Sequence, residues 1–409
     1  VPAVSLRRLL DEAVEEVLGA ALDPGTREAL RRASLNALEA IPRAHRAAGG
    51  LVEELRRRVR RAKEEVASRL DYYVEEAAVS LRRLGARAVV VEEPGEAVEY
   101  VAGLAGQGPV VFSKSMVAEE LGLRRGLEER GIEVWETDLG ELLVQLSGGK
   151  PMHAIAPAVH LTREEAARLV REKLGAPLGG DASPEEIVGF VRRFLRGKFV
   201  NATLGVSGAN ALAADTGAIV LVENEGNIRL VTGLPPVHVA VAGLDKIVPS
   251  IEDAFAVALL QAINAGLYPP TYINVIAGPS STADIEHHRV RGAHGPRELH
   301  VLLVDNGRRE ASRTWLRDTL RCIRCGRCQW ECPVWRVAGN HWGGRVYGGP
   351  MGVLWTAVTE GMEKAAALAQ LCLGCRACDT ACPMEIPLSG IIHRLRRLAA
   401  SAATRAGAQ

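Results

Sequence analysis

Apolar residues recur at three- and four-residue intervals through the first 85 residues. The stretches SLRRLLDEAVEEVLGAAL and LVEELRRRVRRAKEEVASRLDYYVEEAAVSLRRLG set them between charged faces, the pattern of amphipathic helices. Pro24-Gly25 and Gly49-Gly50 punctuate them. From residue 86 the period changes. ARAVVVEE (86–93), PVVFSK (109–114) and IEVWETD (132–138) are short β-branched runs, separated by the helical stretches PGEAVEYVAGLAG and SMVAEELGLRRGLEERG. Strands alternating with helices of this length predict parallel βαβ units. Helices follow at 162–174 and 183–197, then strand-like runs at 217–224, 227–233, 237–243, 271–278 and 298–305. The expected order is an N-terminal helical region (1–85), one α/β domain (86–310) whose sheet mixes parallel and antiparallel strands, a helical domain (311–400) and a frayed tail (401–409).

Composition narrows the class. The 409-residue chain is 47% hydrophobic and 24% charged, ordinary for a globular protein and long enough for two or three domains. Aromatics at 4% leave a core of Ala, Val, Leu and Ile. A net charge of +1 argues against nucleic acid as a partner. The basic run Arg56–Lys63 reads as the solvated face of a helix. No apolar run approaches about 18 residues and no charged leader precedes an apolar segment, so no transmembrane segment is expected and the protein is read as cytoplasmic.

All eight cysteines fall in RCIRCGRCQWECPV (321–334) and LCLGCRACDTACPM (371–384). Each run has the spacing C-x2-C-x2-C-x3-C-P. Three thiolates at such short intervals converge on one iron–sulfur cube, and the proline carries the fourth toward the other cube, as in two-cluster ferredoxins. The expectation is a pair of [4Fe–4S] clusters, one on Cys322, Cys325, Cys328 and Cys382, the other on Cys372, Cys375, Cys378 and Cys332. Zinc fits less well, because zinc ribbons separate their CxxC pairs, and disulfides least. With every iron held by cysteine, no open site remains for substrate, so such clusters conduct electrons. The intervening 333–371 includes GMEKAAALAQL, and PLSGIIHRLRRLAA follows the second run. Both are helical in pattern, and the region resembles the α-helical dicluster domain of succinate dehydrogenase iron–sulfur subunits and glycerol-3-phosphate dehydrogenase C subunits.

VFSKSMVAEELGL (111–123), VWETDLGELLVQLSG (134–148), HAIAPAVHLTREE (153–165), the long segment 205–249 beginning GVSGANALAADTG, GPSSTADIE (278–286) and HGPRELHVLLVDNGR (294–308) together resemble the lactate-utilisation (LUD) domain. A LUD domain joined to a C-terminal dicluster domain resembles the B protein family of the bacterial three-part lactate-utilisation system, over residues 50–395. GPSSTADIE with GAHGP is similar to the C-protein form. The resemblance implies an α/β fold like ribose-5-phosphate isomerase and CoA transferases, and a role in oxidising L-lactate to pyruvate. It also implies two partners, a cysteine-rich redox subunit and a second LUD protein, with a quinone- or flavoprotein-linked acceptor and at most a peripheral attachment to a membrane through the complex.

Candidate ligand residues follow from strand ends and turns. Ser113, Lys114 and Ser115 leave a strand and enter a helix, where backbone N–H groups and the lysine suit an anion; a capped helix start explains them equally. Asp215, Thr216, Asn224 and Asn227 lie beside glycines near strand ends, a place that ordinary turns also fill. The CoA-transferase resemblance singles out Glu223 and Glu225 as candidate catalytic carboxylates. Hydroxyacid oxidation needs a base; His153, His160, His238, His287, His288 and His294 are weighed for it, with His238 foremost after its Pro-Pro turn. No flavin or nicotinamide signature is visible, GVSGAN lacking both the spacing and the acidic partner. Two-electron oxidation needs a cofactor that splits the pair, which favours an electron-transfer subunit of an oxidoreductase that is not NAD-linked. Set against it are a LUD domain that itself oxidises the hydroxyacid, and a non-redox regulatory or assembly module with structural clusters.

Overall fold

The structure is a computed structural model and describes residues 6–406, with side chains to residue 399. Four helices open the chain: α1 (Leu6–Leu22), α2 (Pro24–Ala48), α3 (Leu51–Ser68) and α4 (Leu70–Arg83). Asp23 accepts a hydrogen bond from Thr26 N at 2.7 Å and caps α2, with Pro24 in its first turn. Residues 51–85, one helical stretch by pattern, break at Arg69 (φ −132°, ψ 40°). The basic run is only partly solvated. Val59, Ala62 and Lys63 are buried, because α3 packs on the helix Ile251–Asn264 and on the segment before the first cysteines.

Twelve strands follow: β1 (Arg87–Val91), β2 (Val110–Phe112), β3 (Val134–Glu136), β4 (Leu204–Ser207), β5 (Ala211–Ala213), β6 (Ile219–Glu223), β7 (Val237–Gly243), β8 (Ile247–Val248), β9 (Tyr272–Ile276), β10 (Ser281–Thr282), β11 (Val290–Arg291) and β12 (Glu298–Val304). The mixing of parallel and antiparallel pairings expected of one sheet is found in the smaller of two main sheets, the larger being all-parallel. An all-parallel sheet runs β1-β12-β7-β4-β2-β3; a second runs β8-β5-β6-β9, with β6 antiparallel to both neighbours and β5 parallel to β8; β10 and β11 form a hairpin. The parallel sheet is buried on both faces, as such sheets are. Val239, Val241, Leu302 and Val304 pack one side, against the helices Pro94–Ala102 and Leu123–Glu128; Ala240, Val301 and Leu303 pack the other.

Two elements depart from the pattern-based reading. NIRLVTG, rich in strand-forming residues, is a helix (Asn227–Gly233). Gly226 turns the chain at φ 85°, a left-handed value glycine takes without penalty, and the Glu223 carboxylate accepts from Arg229 N at 3.2 Å. The helix Ile251–Asn264 was not foreseen: IEDAFAVALLQAIN is apolar on nearly every side and shows no helical period, because the helix is buried nearly all round.

From Arg308 onward the chain is helical, ending in Leu388–Ala406. The tail expected to fray from 401 is thus helical to Ala406, and 407–409 lie outside the described residues. Five of the six tryptophans stand in 315–355, and Trp335, Trp342 and Trp355 are fully buried. Helices α1 and α2 pack on this region, so one core runs from the N-terminal helices through the second sheet to the cysteine-bearing helices.

Candidate functional site

Each cysteine run closes a loop through two left-handed residues, Arg324 (φ 60°) and Gly326 (φ 73°) in the first, Gly374 (φ 71°) and Arg376 (φ 63°) in the second. Such turns aim N–H groups inward: Arg324 N donates to Cys322 Sγ and Gly374 N to Cys372 Sγ, each at 3.4 Å. A short helix then leads to the fourth cysteine, and Pro333 or Pro383 prevents the helix from continuing. Cys332 and Cys382 therefore leave their own runs. Cys322, Cys325, Cys328 and Cys382 line one small cavity, while Cys332, Cys372, Cys375 and Cys378 line the other.

Burial pushes the Cys325 thiol up to about 12, with Cys322 and Cys382 adding to the rise. Cys332 also reaches about 12, burial again first, with Cys372 and Cys375 as neighbours. Thiols crowded this way keep their protons unless a cation replaces them, and a four-thiol donor set suits a polynuclear iron–sulfur centre. Among the described residues no three of His, Cys, Asp or Glu are drawn together as ligands of a single ion; the thiols ring a void instead.

The two cavities differ in access. Cys325 is 8% exposed, and His153 of the α/β region roofs its loop, stacked on Trp330 at 3.8 Å with Nε2 placed 3.2 Å from Gly326 O. A Cβ at residue 326 would fall 2.4 Å from the His153 ring, so glycine is required there for close approach as well as for φ. Burial holds His153 neutral, its pKa down to about 3. In the second loop Cys375 is exposed and Leu373 is 69% exposed.

A buried charge cluster joins the first cysteine loop to the α/β region. Arg324, between Cys322 and Cys325, donates Nη1 to Asp245 Oδ2 at 2.7 Å and lies over the Trp355 ring at 3.7 Å. That anchor explains a non-glycine residue at φ 60°. The other oxygen of Asp245 takes Arg308 Nε at 2.5 Å, and its carbonyl takes Lys63 Nζ. Arg308 closes a two-bond fork on Glu120 at 2.7 and 2.8 Å, and Tyr347 Oη donates to the same carboxylate at 2.8 Å. Burial alone would raise Asp245, but Arg324, Arg308 and Lys63 hold it far below the carboxylate range. Burial lowers Lys63 to about 8 and Lys246 to about 7.

A cavity of about 280 Å³ opens beside this cluster, between the loop after β2, the end of β6 and the helix Ile251–Asn264. Of the residues singled out in the sequence, Lys114, Ser115, Glu223, Glu225, Asn224 and Asn227 line it. Lys114 Nζ is tied to Ile155 O, and Ser115 Oγ already accepts from Ala118 N. Glu223 is fully partnered, by Arg229 Nε at 2.7 Å and Asn274 Nδ2 at 3.1 Å. Glu225 is pushed up to about 7, by burial first and then by Asp138. Ser113 is buried with its Oγ unpartnered and does not line the cavity. Asp215 and Thr216 form an exposed turn capping the helix Ile251–Asn264. His238 stands apart in the parallel sheet, 1% exposed, sharing a 2.8 Å hydrogen bond with Ser207 Oγ and lowered to about 3 by burial. His160 lines a separate cleft, and His287, His288 and His294 are exposed in the segment around the β10–β11 hairpin. The pattern-based reading missed Asp138, Lys246 and Arg324; the signal for Arg324 was a charge where the matching position of the second run carries Gly374.

Behind Lys114 lie two buried carboxyls, Glu136 and Glu141, with Oε2 and Oε1 respectively unpartnered. Burial raises Glu141 to about 8 and Glu136 well above its usual range. An unfolded Glu141 ionises near 4.5, so between pH 4.5 and 8 the folded chain holds the extra proton and stability falls as pH rises. Glu141→Gln is expected to remove Glu141's share of that fall, stabilising the chain at pH 8 by on the order of a few kcal/mol and leaving pH 4.5 unchanged. Thermal melts at the two pH values check it; parallel pH profiles contradict it.

The LUD domain model matches residues 74–304, and the 4Fe-4S dicluster domain model matches residues 318–386. An "Uncharacterized electron transport protein YkgF" of Escherichia coli (strain K12) is 36% identical over 87% of this chain and 74% of its own length. "Lactate utilization protein B" of Bacillus cereus (strain B4264) is 36% identical over 85% of this chain and 72% of its own, as is its namesake in Bacillus thuringiensis (strain Al Hakam). A solved DUF162 family protein of Deinococcus radiodurans aligns with 58% of this chain and 98% of its own at 16% identity and a TM-score of 0.31.

Proposed function

From the premise that this chain belongs to the LUD-domain proteins that carry a 4Fe-4S dicluster domain, we propose that it is the iron–sulfur electron-transfer subunit of a complex that oxidises L-lactate or another 2-hydroxy acid. Cys322, Cys325, Cys328 and Cys382 hold one [4Fe–4S] cluster; Cys372, Cys375, Cys378 and Cys332 hold the other. When bound, the clusters supply one-electron transfer. The partners in this reading are a cysteine-rich redox subunit and a second LUD protein, and the division of the chain follows its elements, helical to 85, α/β to 310 and dicluster beyond.

The observation that carries the reading is the unequal placing of the two thiol sets. The first lies beside the LUD cavity through Arg324 and under His153, whereas the second meets solvent at Leu373, Cys375 and Arg376. A chain so built has an inner and an outer end. Backbone N–H groups of Arg324 and Gly374 donate to the sulfurs of Cys322 and Cys372, and His153 stacked on Trp330 covers the inner loop. No described helix is long and apolar enough to cross a membrane, and exchange at Leu373 needs none.

The test uses the anaerobically isolated chain. L-lactate alone leaves its visible cluster absorption unchanged; adding the two partner subunits bleaches it. Leu373→Glu slows that bleaching about tenfold by placing a charge in the contact, while reduction by dithionite is unaffected. Bleaching by lactate without partners moves the oxidation into this chain, and an unaffected Leu373→Glu moves the contact elsewhere.

A further inference from the structure

The cavity beside the first cysteine loop is lined by cationic groups whose donors the protein does not fully satisfy. Lys246 is 7% exposed and lines the cavity, and among the described residues it has no hydrogen-bond or ion-pair partner. Arg324, 3% exposed, lines it too, with Nε and Nη2 unpartnered. The buried cluster around them gathers Lys63, Lys246, Arg308 and Arg324, with Asp245 and Glu120 as the carboxylates that pair with the two arginines. A buried cation without a partner costs several kcal/mol unless something else supplies the charge. Lys114 adds a third cationic group to the lining.

We propose that this cavity binds a small organic monocarboxylate, its carboxylate against Lys246 and Arg324 and its remainder toward Asn210 and Glu225. Several features fix the class. The volume of about 280 Å³ is at the small end for ligand sites. The lining also carries the acidic groups Asp138, Glu223 and Glu225, which disfavour a dianion such as phosphate relative to a monoanion. A monoanion turns its neutral end to these groups, where a hydroxyl or carbonyl finds Asn210 and Glu225. Gln261 already occupies the Asn210 amide N–H at 2.6 Å and Val222 N its carbonyl at 2.9 Å, which sets the amide in one orientation.

The site is also wired to the inner thiols. Arg324 spans the two, donating Nη1 to Cys322 O at 3.2 Å while lining the cavity. An anion and a negatively charged cluster therefore draw on one set of cations, and occupancy lowers the potential of the cluster on Cys322, Cys325, Cys328 and Cys382. This coupling rests on the proposed iron–sulfur function; the binding does not.

Equilibrium dialysis of the anaerobic full-length chain against labelled L-lactate, pyruvate and inorganic phosphate separates the two parts. One saturable carboxylate site per chain is expected, with phosphate at least about tenfold weaker. Lys246→Met and, at the cavity mouth, Lys114→Met each weaken carboxylate binding about tenfold or more; iron content and circular dichroism verify that both variants are folded. Absence of saturable carboxylate binding, tighter binding of phosphate, or indifference to both substitutions overturns the site. In a redox titration followed by electron paramagnetic resonance, saturating carboxylate shifts the inner cluster to lower potential in wild type and not in Lys246→Met. Carboxylate binding without that shift refutes the coupling and leaves the site.

Discussion

Cys382→Ala is expected to empty the cluster site of the first cysteine run, although Cys382 belongs to the second. Its thiol shares a cavity with Cys322, Cys325 and Cys328. Pro383 and the turn to Ile386 hold it there, with the N–H groups of Met384 and Ile386 on the sulfur. Three ligands in a pocket largely closed to water leave a cluster that is lost during isolation. Iron should fall by about half, from about eight to about four per chain. The surviving signal should belong to the outer site, recognised by rapid oxidation with ferricyanide through the exposed Leu373–Arg376 loop. Cys332→Ala is the mirror case and spares the slowly oxidised cluster. A Cys382→Ala protein that keeps only the inner signal breaks the crossed assignment.

Arg308→Met carries the second large effect. Arg308 is fully buried and holds Glu120 and Asp245 together, and Glu120 in turn takes Tyr347 of the cysteine-bearing region. Removing one partner of a buried pair costs about 3–5 kcal/mol, because the carboxylates remain in low dielectric. The loss should appear in denaturant unfolding of the full chain as a lower midpoint. The pH dependence gives it a signature. Although burial alone would raise Glu120, Arg308 brings its pKa below the ordinary 4.5, so the stability it contributes is present above that value and fades as pH falls through the folded pKa. Wild type and variant should differ most near neutrality and converge in acid. A loss below about 1 kcal/mol at neutral pH means the pair does not fasten the two regions.

What could be read from the chain alone was local. The cysteine spacing fixes which thiols face one another within a run, and Pro333 and Pro383 fix which one leaves it, so both cavities follow from short-range rules. The parallel βαβ succession was legible for the same reason, each β-branched run and helix being its own signal. Features made by distant segments were not. Ile251–Asn264 shows no face because it is buried nearly all round. Lys63 lies in a run of arginines that reads as solvated, yet Asp245, far along the chain, draws it inside. Lys246 and Arg324 meet Lys114 only once β8, the first cysteine loop and the loop after β2 close on one cavity. His238, weighed as a base for its place after the Pro-Pro turn, lies in the parallel sheet with a serine partner, a setting that its neighbours in sequence do not reveal.

Two four-iron cubes, each built on thiols from both cysteine runs, are the premise of the proposed electron transfer. Iron and acid-labile sulfide measured on the chain isolated without oxygen test that premise most directly. About eight of each per chain, with no zinc, is the predicted result. Zinc in place of iron, or iron for a single cube, contradicts it.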